Sequence, residues 1–191
     1  ASADDEGFKR ELVLLIPHLR AFARTLTGDP TAADDLAQDA MMKAWDARAS
    51  YQMGTNMKAW TFMILRNQFY SEKRRSWRQS QLDQEAAERT LVAVDDPEAP
   101  VALDELRQAL KTLPEEQREA LILVGAGGFA YEEAAEICGC AVGTVKSRVS
   151  RARRALQATL EKGGYSRDGQ AAGEAMRTIL GEADRLAGAR G

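Results

Sequence analysis

The residues with the clearest chemistry lie between Val142 and Leu156, a segment with five bases and no acid. Four apolar residues recur there at helical spacing and predict a buried stripe: Val145, Val149, Ala152 and Leu156. The opposite face of the same helix carries cations and hydroxyls: Lys146, Ser147, Ser150, Arg151 and Arg154. A helix with an apolar back and this polar front is typical of helices that read the major groove of DNA.

The preceding segment, Tyr131 to Gly139, predicts a shorter helix that completes a helix-turn-helix. Ala135 is small where two helices must cross closely, and Gly139 suits the left-handed residue that ends a helix. The alternative is a surface helix with a solvated basic face. The joint occurrence of the crossing alanine, the turn glycine and the packing valines favours the helix-turn-helix.

A second cluster combines aromatic and basic residues. Five of the twelve aromatic residues of the chain fall in one short segment: Trp60, Phe62, Phe69, Tyr70 and Trp77. Polar and basic residues are interleaved with them: Arg66, Asn67, Lys73, Arg74 and Arg75. Aromatic faces stack on unpaired bases while cations follow the phosphates, so this pattern indicates single-stranded nucleic acid. The alternative is that the rings form core, which we expect for Phe62 and Phe69.

Other chemistries lack the residues that they need. Cys138 and Cys140 are the only cysteines and His18 is the only histidine, so a zinc site of about four ligands is not expected. The glycines between 125 and 128 are not followed by the Gly-Lys-Ser/Thr of a phosphate-binding loop. No nucleophile paired with a base can be recognised. We therefore expect no metal, no cofactor and no enzymatic activity.

Periodicity and capping residues predict the helices in the first part of the chain, including the helix that carries the aromatic cluster. Pro17 predicts a break between two helices, and Asp29 precedes Pro30 as the N-cap of a third helix. This third helix is expected to end near Arg48 and to bury five residues: Leu36, Ala40, Met41, Ala44 and Trp45. A loop over 51–56 follows, and Asn56 is expected to cap a long helix to about Trp77.

The second part of the chain is also read as helical. Leucines from Leu103 to Leu113 form one stripe, and Pro114 begins a helix to Val124. A turn over 125–128 precedes the helix-turn-helix, whose second helix is expected to reach about Glu161. No alternating strand pattern occurs, so the predicted fold class is all-α. A last amphipathic stretch covers 172–187.

Charge divides the chain into segments. The net charge of −3 hides two segments of +5, residues 58–78 and 142–156, separated by a segment of −7 at 79–105. Two small helical domains joined by an acidic linker follow from this pattern. The predicted bounds are 8–78, 79–100 and 101–161, with a tail over 162–191. The acidic start and the lack of a long apolar run predict a cytoplasmic protein without a membrane segment.

Together these residues resemble the sigma factors of bacterial RNA polymerase. The first domain resembles sigma region 2 at Asp34-Asp35-Leu-Ala-Gln-Asp39, Trp45, Asn67 and Lys73-Arg74-Arg75. The second resembles region 4 at Leu113-Pro-Glu-Glu-Gln-Arg118 and the helix-turn-helix. Without regions 1 and 3, the chain is similar to the extracytoplasmic-function (group IV) sigma factors. Two segments, 124–129 and 136–144, are similar to the EcfG-type general stress response branch.

The resemblance implies three sets of site residues. The face that docks on the β′ clamp helices of core RNA polymerase would be Asp35, Leu36, Gln38, Asp39 and Met42, with Leu36 and Met42 exposed. Contacts to the minus-10 element would come from the loop and the basic helix: Tyr51, Met53, Thr55, Asn56, Trp60, Arg66, Asn67, Tyr70, Lys73 and Arg74. Contacts to the minus-35 element would come from Thr144, Lys146, Ser147, Arg148, Ser150, Arg151 and Arg154, with Arg148 and Arg154 on phosphates.

The implied partners are core RNA polymerase (β′ clamp helices and β flap), promoter DNA and an anti-sigma factor. One departure is Ala130, where family members carry the N-cap Ser or Thr, at a cost of about 1 kcal/mol. A sigma-like decoy that sequesters an anti-sigma factor is one alternative, although a decoy does not need the basic helix-turn-helix. A stand-alone helix-turn-helix regulator is the other, although it would not need the 34–39 face or the aromatic cluster.

Overall fold

The computed structural model describes residues 3–82 and 108–162 of the 191-residue chain. The chain divides into two compact units, Ala1–Val94 (unit 1) and Asp95–Gly191 (unit 2). Both described stretches are helical and contain no strand, which confirms the all-α prediction. Within them, no helix combines the length and the apolar character needed to cross a membrane.

Unit 1 is a helical bundle whose helix ends follow the sequence signals. Its helices are α1 (Ala3–Leu14), α2 (Ile16–Thr27), α3 (Pro30–Asp46) and α4 (Met57–Leu82), with a 3₁₀ turn at Arg48–Ser50. Pro17 lies in the first turn of α2, where its missing N–H is harmless. The Asp29 carboxylate accepts from the N–H groups of Thr31 and Ala32, so the predicted N-cap of α3 is present.

The core of unit 1 lies where α2, α3 and α4 meet. The inward residues of α2 are Leu19, Phe22, Ala23 and Leu26. Phe22 stacks on Phe62 of α4 with ring centroids 4.7 Å apart, so Phe62 is core as expected. On α3, Leu36, Ala40 and Ala44 are buried, whereas Met41 and Trp45 are only half-buried, contrary to the prediction.

The long helix of unit 1 exceeds the prediction. Asn56 accepts from the Ala59 N–H at 3.0 Å and caps α4, as expected. The helix continues to Leu82, past Trp77 and into the predicted linker, because nothing before Leu82 breaks it and its last turns are rich in good helix formers.

Unit 2 contains the helix-turn-helix. After a helical turn over 108–111 come α5 (Glu115–Leu121), a π-helical turn (Ile122–Ala126), α6 (Tyr131–Cys138) and α7 (Val142–Lys162). The predicted helix to Val124 is wrong at its end, because the Gly127 N–H bonds to the Ile122 carbonyl at 2.7 Å and widens the last turn. A Cβ on Gly127 would lie 2.8 Å from the buried Phe129 ring, so this closure requires glycine.

Three predictions fall on residues outside the described ranges. These are most of the acidic linker (83–100), the start of the leucine stripe (Leu103 and Leu106), and the tail with its amphipathic stretch (163–191).

Candidate nucleic-acid interface

The helix α7 separates its core side from its polar side. Val145, Val149, Ala152 and Leu156 are buried against the rest of unit 2, as the periodicity predicted. Four of the predicted DNA-contacting side chains are exposed or partly exposed on the other side of the helix: Lys146, Ser147, Ser150 and Arg151. Arg154 is exposed further along, and Thr144 is half-buried in the first turn. The helix thus presents donors and cations on a rigid, packed support.

The turn before α7 fixes its direction. Gly139 has φ +64°, a left-handed conformation that side chains disfavour, and it ends α6. The Cys140 N–H then donates to the Ala135 carbonyl at 3.1 Å, which closes the turn. Cys138 is buried and Cys140 half-buried. Within the described ranges, no group of three His, Cys, Asp or Glu side chains could hold a metal ion.

Arg148 is engaged inside unit 2. Its guanidinium lies 3.0 Å from a Glu116 carboxylate oxygen of α5, and its side chain is only 19% exposed. Its second amino nitrogen lies 3.8 Å from the Cys140 sulfur. In this conformation the guanidinium is used by Glu116, and the assignment of Arg148 to DNA phosphates stays a prediction. At position 148 the side chain falls on the flank of α7, where it reaches the neighbouring helix first.

The N-terminus of α6 is half-capped. Ala130 has no side-chain acceptor for the first amides of the helix, as the sequence indicated. The Glu133 carboxylate reaches back and accepts from the Ala130 N–H at 3.0 Å, which is one half of a capping box. Tyr131 follows, and the Lys146 ammonium lies 5.6 Å from its ring centroid. The Lys146 ammonium is therefore within cation–π distance of a ring at the border of the polar face of α7.

In unit 1, the basic side of α4 carries a paired cation and ring. The Arg66 guanidinium lies 4.5 Å from the centroid of Tyr70, one turn further on, and both side chains are half-buried. Asn67, Lys73 and Arg74 are exposed. Five of the predicted minus-10 residues thus share one accessible helix, and their mixture of ring, cation and amide fits an unpaired strand.

The loop over 51–56 contains both exposed and buried predicted residues. Met53 and Thr55 are exposed. Tyr51 is only 9% exposed, packs on Phe8 and Trp60, and donates its hydroxyl to the Thr55 carbonyl at 2.8 Å. Its assignment as a base-contacting residue is therefore wrong, because its ring and hydroxyl are used to hold the loop. Trp60 is half-buried in the same cluster, and Asn56 uses its side-chain oxygen as the α4 cap.

The support of this loop comes partly from α1. Phe8 is 3% exposed and contacts the rings of Tyr51, Trp60 and Trp45 at centroid distances of 5.7, 6.1 and 6.1 Å. Asp5 bridges to Arg48 at 3.0 Å, and the Arg48 guanidinium lies 4.4 Å from the Trp45 ring centroid. Sequence reasoning did not connect α1 to the loop, because the contact depends on tertiary packing. The signal available in the sequence is the helical spacing of Phe8, Leu12 and Leu15.

The acidic face of α3 keeps four of its five predicted residues. Asp35, Gln38 and Asp39 are exposed, and Met42 is 65% exposed. Leu36 is 3% exposed and belongs to the core, so its assignment as an exposed docking residue is wrong. Leu36 lies one turn before the buried Ala40, so its side chain falls on the same buried stripe of α3. Asp34 is engaged by Arg20 of α2 at 3.1 Å.

Comparison with known proteins follows the division into units. The family description "Sigma-70 region 2" matches residues 14–79, and "Sigma-70, region 4" matches residues 103–156. The first match covers α2 to most of α4, and the second covers α5 to most of α7. The helix α1 lies almost entirely before the first match.

Named relatives extend the comparison to nearly the whole chain. The "ECF RNA polymerase sigma factor EcfG" of Rhodopseudomonas palustris (strain TIE-1) is 43% identical over 92% of this chain and 96% of that protein. A solved structure of the sigma factor RpoE with the anti-sigma factor NepR from Bartonella quintana has 48% identity and a TM-score of 0.73, over 82% of this chain and 98% of that one. CnrH, solved with the cytosolic domain of CnrY, has 26% identity and a TM-score of 0.57, over 83% and 93% of the two chains.

Proposed function

This chain belongs to the ECF sigma factors of bacterial RNA polymerase, and we propose that its two units bind different parts of the promoter and of the polymerase. A sigma factor binds core RNA polymerase and directs it to promoters, and this chain is a sigma factor of that kind. The observation that supports the division is that cations are exposed on two separate helices, α7 and α4, each on a folded support.

For the minus-35 element, we propose direct reading by α7 in the major groove. Lys146 and Arg151 carry donors that pair with the acceptor edge of guanine, and Ser147 and Ser150 are short enough for close approach. Arg154 contacts a phosphate. Thr144 lies in the first turn, where backbone amides also favour a phosphate. Arg148 lies at the flank of this surface, where it is paired with Glu116.

For the minus-10 element, the proposal is capture of an unpaired strand by α4 and the loop. Tyr70 offers a ring, while Arg66, Lys73 and Arg74 offer cations and Asn67 offers an amide. Met53 and Thr55 at the loop tip are accessible to a flipped base. Unpairing and unstacking a base costs roughly a few kcal/mol, and contacts of this kind offset that cost. Tyr51 and Trp60 contribute indirectly, because their packed rings hold the loop in position.

The polymerase-binding surface of unit 1 is the exposed side of α3. Asp35 and Asp39 provide charge that steers a basic partner, and Met42 provides an apolar centre that loses water on docking. Gln38 lies between them. This arrangement fits the β′ clamp helices that the resemblance implies. Unit 2 would correspondingly meet the β flap.

Regulation by an anti-sigma factor is the second part of the proposal. One similar solved structure, 48% identical to this chain, is a sigma factor bound to an anti-sigma factor, and another is CnrH bound to the cytosolic domain of CnrY. The similarity to EcfG favours promoters of the general stress response. We propose that a small anti-sigma protein covers the polymerase-binding and DNA-binding faces, and that stress releases it.

The decoy alternative makes an opposite prediction about α7. A protein that only sequesters an anti-sigma factor has no use for an exposed face of lysine, serine and arginine, and that face is present here. The decoy would bind the anti-sigma factor and fail to bind core polymerase. No catalytic role is proposed for this chain, since the polymerase supplies the chemistry and does so in the cytoplasm.

Transcription reconstituted from purified parts tests the function. Core RNA polymerase is mixed with this protein and with fragmented genomic DNA of the source bacterium, and the 5′ ends of the transcripts are sequenced. We expect new start sites that share one minus-35 and one minus-10 element. Absence of any start site that depends on the protein, together with no co-elution with core polymerase, would contradict the sigma function and favour the decoy.

The division between the units is tested separately on one promoter found in this way. Lys146→Ala with Arg151→Ala should prevent recognition of the duplex promoter but leave co-elution with core polymerase intact. Asp39→Asn with Met42→Ala should reduce co-elution with core polymerase, and promoter recognition should fall only because less holoenzyme forms. Reduced co-elution of the Lys146→Ala, Arg151→Ala variant, or unchanged co-elution of the Asp39→Asn, Met42→Ala variant, would show that the assignment of faces is wrong.

A further inference from the structure

The last turns of α4 project from unit 1 without a buried side. Every side chain over 72–81 is exposed, and Trp77 among them is 62% exposed. A helix segment that is exposed all round gains no stabilisation from packing, and an indole in water forgoes the burial that large apolar side chains favour. An exposed tryptophan at this place therefore suits a ligand better than it suits the fold of unit 1.

One face of α4 alternates cations and rings as far as this tryptophan. Arg66, Tyr70, Lys73 and Trp77 follow one another at spacings of four, three and four residues. Residues at these spacings lie on the same side of a helix. The first pair is already in contact, with the Arg66 guanidinium 4.5 Å from the Tyr70 ring centroid. Trp77 thus continues the side of α4 that carries the proposed minus-10 contacts.

The spacing and the charge of this face fit a strand of nucleotides. Trp77 lies seven positions after Tyr70, which is about 10 Å along a helix and room for about three stacked bases. Three further arginines flank Trp77, and in the described part of the chain none of them has a carboxylate partner: Arg74, Arg75 and Arg78. The ligand should therefore be anionic and should carry flat rings. Single-stranded DNA has both properties.

We propose that Trp77 stacks on a base of the melted promoter strand, so that the strand follows α4 from the Arg66–Tyr70 pair to the end of the helix. The inference rests on the proposed function and adds a residue to it. The expected occupant is single-stranded DNA, bound when the protein is on core polymerase. Duplex DNA does not offer a base face to Trp77 without further unstacking.

The test uses the holoenzyme and premelted promoter DNA with an unpaired strand. Trp77→Ala should weaken binding roughly 5- to 150-fold, the effect of losing one base–aromatic stack. Trp77→Phe should retain most of the affinity because it keeps a ring. Gln79→Ala is the matched control, since Gln79 is exposed two residues further on and points to the other side of the helix.

Abasic DNA makes the test specific for stacking. A series of premelted DNAs carries one abasic site at each successive unpaired position. At one position the wild-type and Trp77→Ala holoenzymes should bind equally, because the base that Trp77 stacks on is missing there. A purely structural role of Trp77 would lower binding to every DNA in the series by the same factor.

Several outcomes would overturn the proposal. Equal binding of wild type and Trp77→Ala to every DNA shows that the ring has no nucleic-acid role. Loss of co-elution with core polymerase alone assigns Trp77 to the polymerase, and loss of anti-sigma binding alone assigns it to that partner. Tighter DNA binding by Trp77→Ala shows that the indole opposes strand binding. Failure of the wild-type holoenzyme to bind any promoter contradicts the proposed function instead.

Discussion

In α7 a buried stripe continues from Val145 to Leu156 beneath the polar face, whereas in α4 no described side chain beyond Leu65 is buried. Unit 2 therefore offers DNA a helix that is held along most of its length. Unit 1 offers a helix that is held at one end and projects at the other. The first arrangement fits a duplex, whose groove has a fixed shape, and the second fits a strand whose path is not fixed until it is bound.

The two units also differ in how they use aromatic residues. In unit 2 the reading face has no aromatic residue, and Tyr131 only borders it. In unit 1 the rings of Tyr51 and Trp60 support the loop from inside, while Tyr70 and Trp77 remain accessible. In unit 2, the residues that pack and the residues proposed to contact DNA thus lie on opposite sides of one helix. In unit 1, neighbouring aromatic residues divide these two roles between them. Substitutions should consequently be easier to interpret in unit 2.

The largest expected effect on stability comes from removing the ring that supports the 51–56 loop of unit 1. Phe8→Ala should lower the free energy of unfolding by about 3–5 kcal/mol, because it removes a buried ring that contacts three others. Urea denaturation followed by circular dichroism measures it. Val13→Ala is the matched control in the same helix, since Val13 is 50% exposed. Similar losses in both variants would show that α1 does not brace the loop.

The next effect separates the two apolar residues predicted on the α3 docking face. Leu36→Ala should destabilise unit 1 by about 2–5 kcal/mol, because Leu36 is core. Met42→Ala should leave the unfolding transition within about 0.5 kcal/mol and lower the affinity for core polymerase. Denaturation and co-elution on the same pair of variants decide between the roles. A docking defect in a stably folded Leu36→Ala protein would contradict the burial argument.

A smaller effect tests the reading face of unit 2. Lys146→Ala and Arg151→Ala should each lose roughly 1–3 kcal/mol of discrimination between minus-35 sequences, the value of one specific base contact. Arg153→Ala removes the same charge as Arg151→Ala from an exposed position that is outside the proposed contacts. We expect it to weaken binding to all sequences equally. Holoenzyme binding to a library of randomised minus-35 elements measures both. Unchanged sequence preference in Arg151→Ala would remove it from the face.

The smallest expected effect comes from a substitution that adds the missing N-cap acceptor of α6. Ala130→Ser should raise the free energy of unfolding of unit 2 by about 0.5–2 kcal/mol, because the hydroxyl accepts from an amide that has no side-chain partner now. Ala130→Gly is the control, since it changes the backbone without adding an acceptor. Thermal denaturation of the chain detects the gain. No difference between serine and glycine would show that Glu133 alone satisfies this terminus.

Elements with a simple local cause were predictable. The N-caps Asp29 and Asn56 and the turn glycine Gly139 depend on a few neighbouring residues, and all three act as expected. The end of α5 was mispredicted because the Gly127 N–H donates to the Ile122 carbonyl and the Phe129 N–H to the Leu123 carbonyl, which prolongs the helix as a π turn. Residue types alone do not distinguish this wider turn from an ordinary helix end.

Three conclusions could be drawn from the amino-acid sequence without coordinates: the protein is all-α, a helix-turn-helix with a basic face occupies 131–156, and the chain is a sigma factor. These conclusions rest on residue types at fixed spacing, which a helix converts directly into faces. Which residues of each face remain accessible depends on how the helices pack in three dimensions. Tyr51 and Leu36 became core and Arg148 became a brace, because a neighbouring helix reaches them first. Periodicity gives a residue its side of the helix, and packing against other helices decides whether that side meets water.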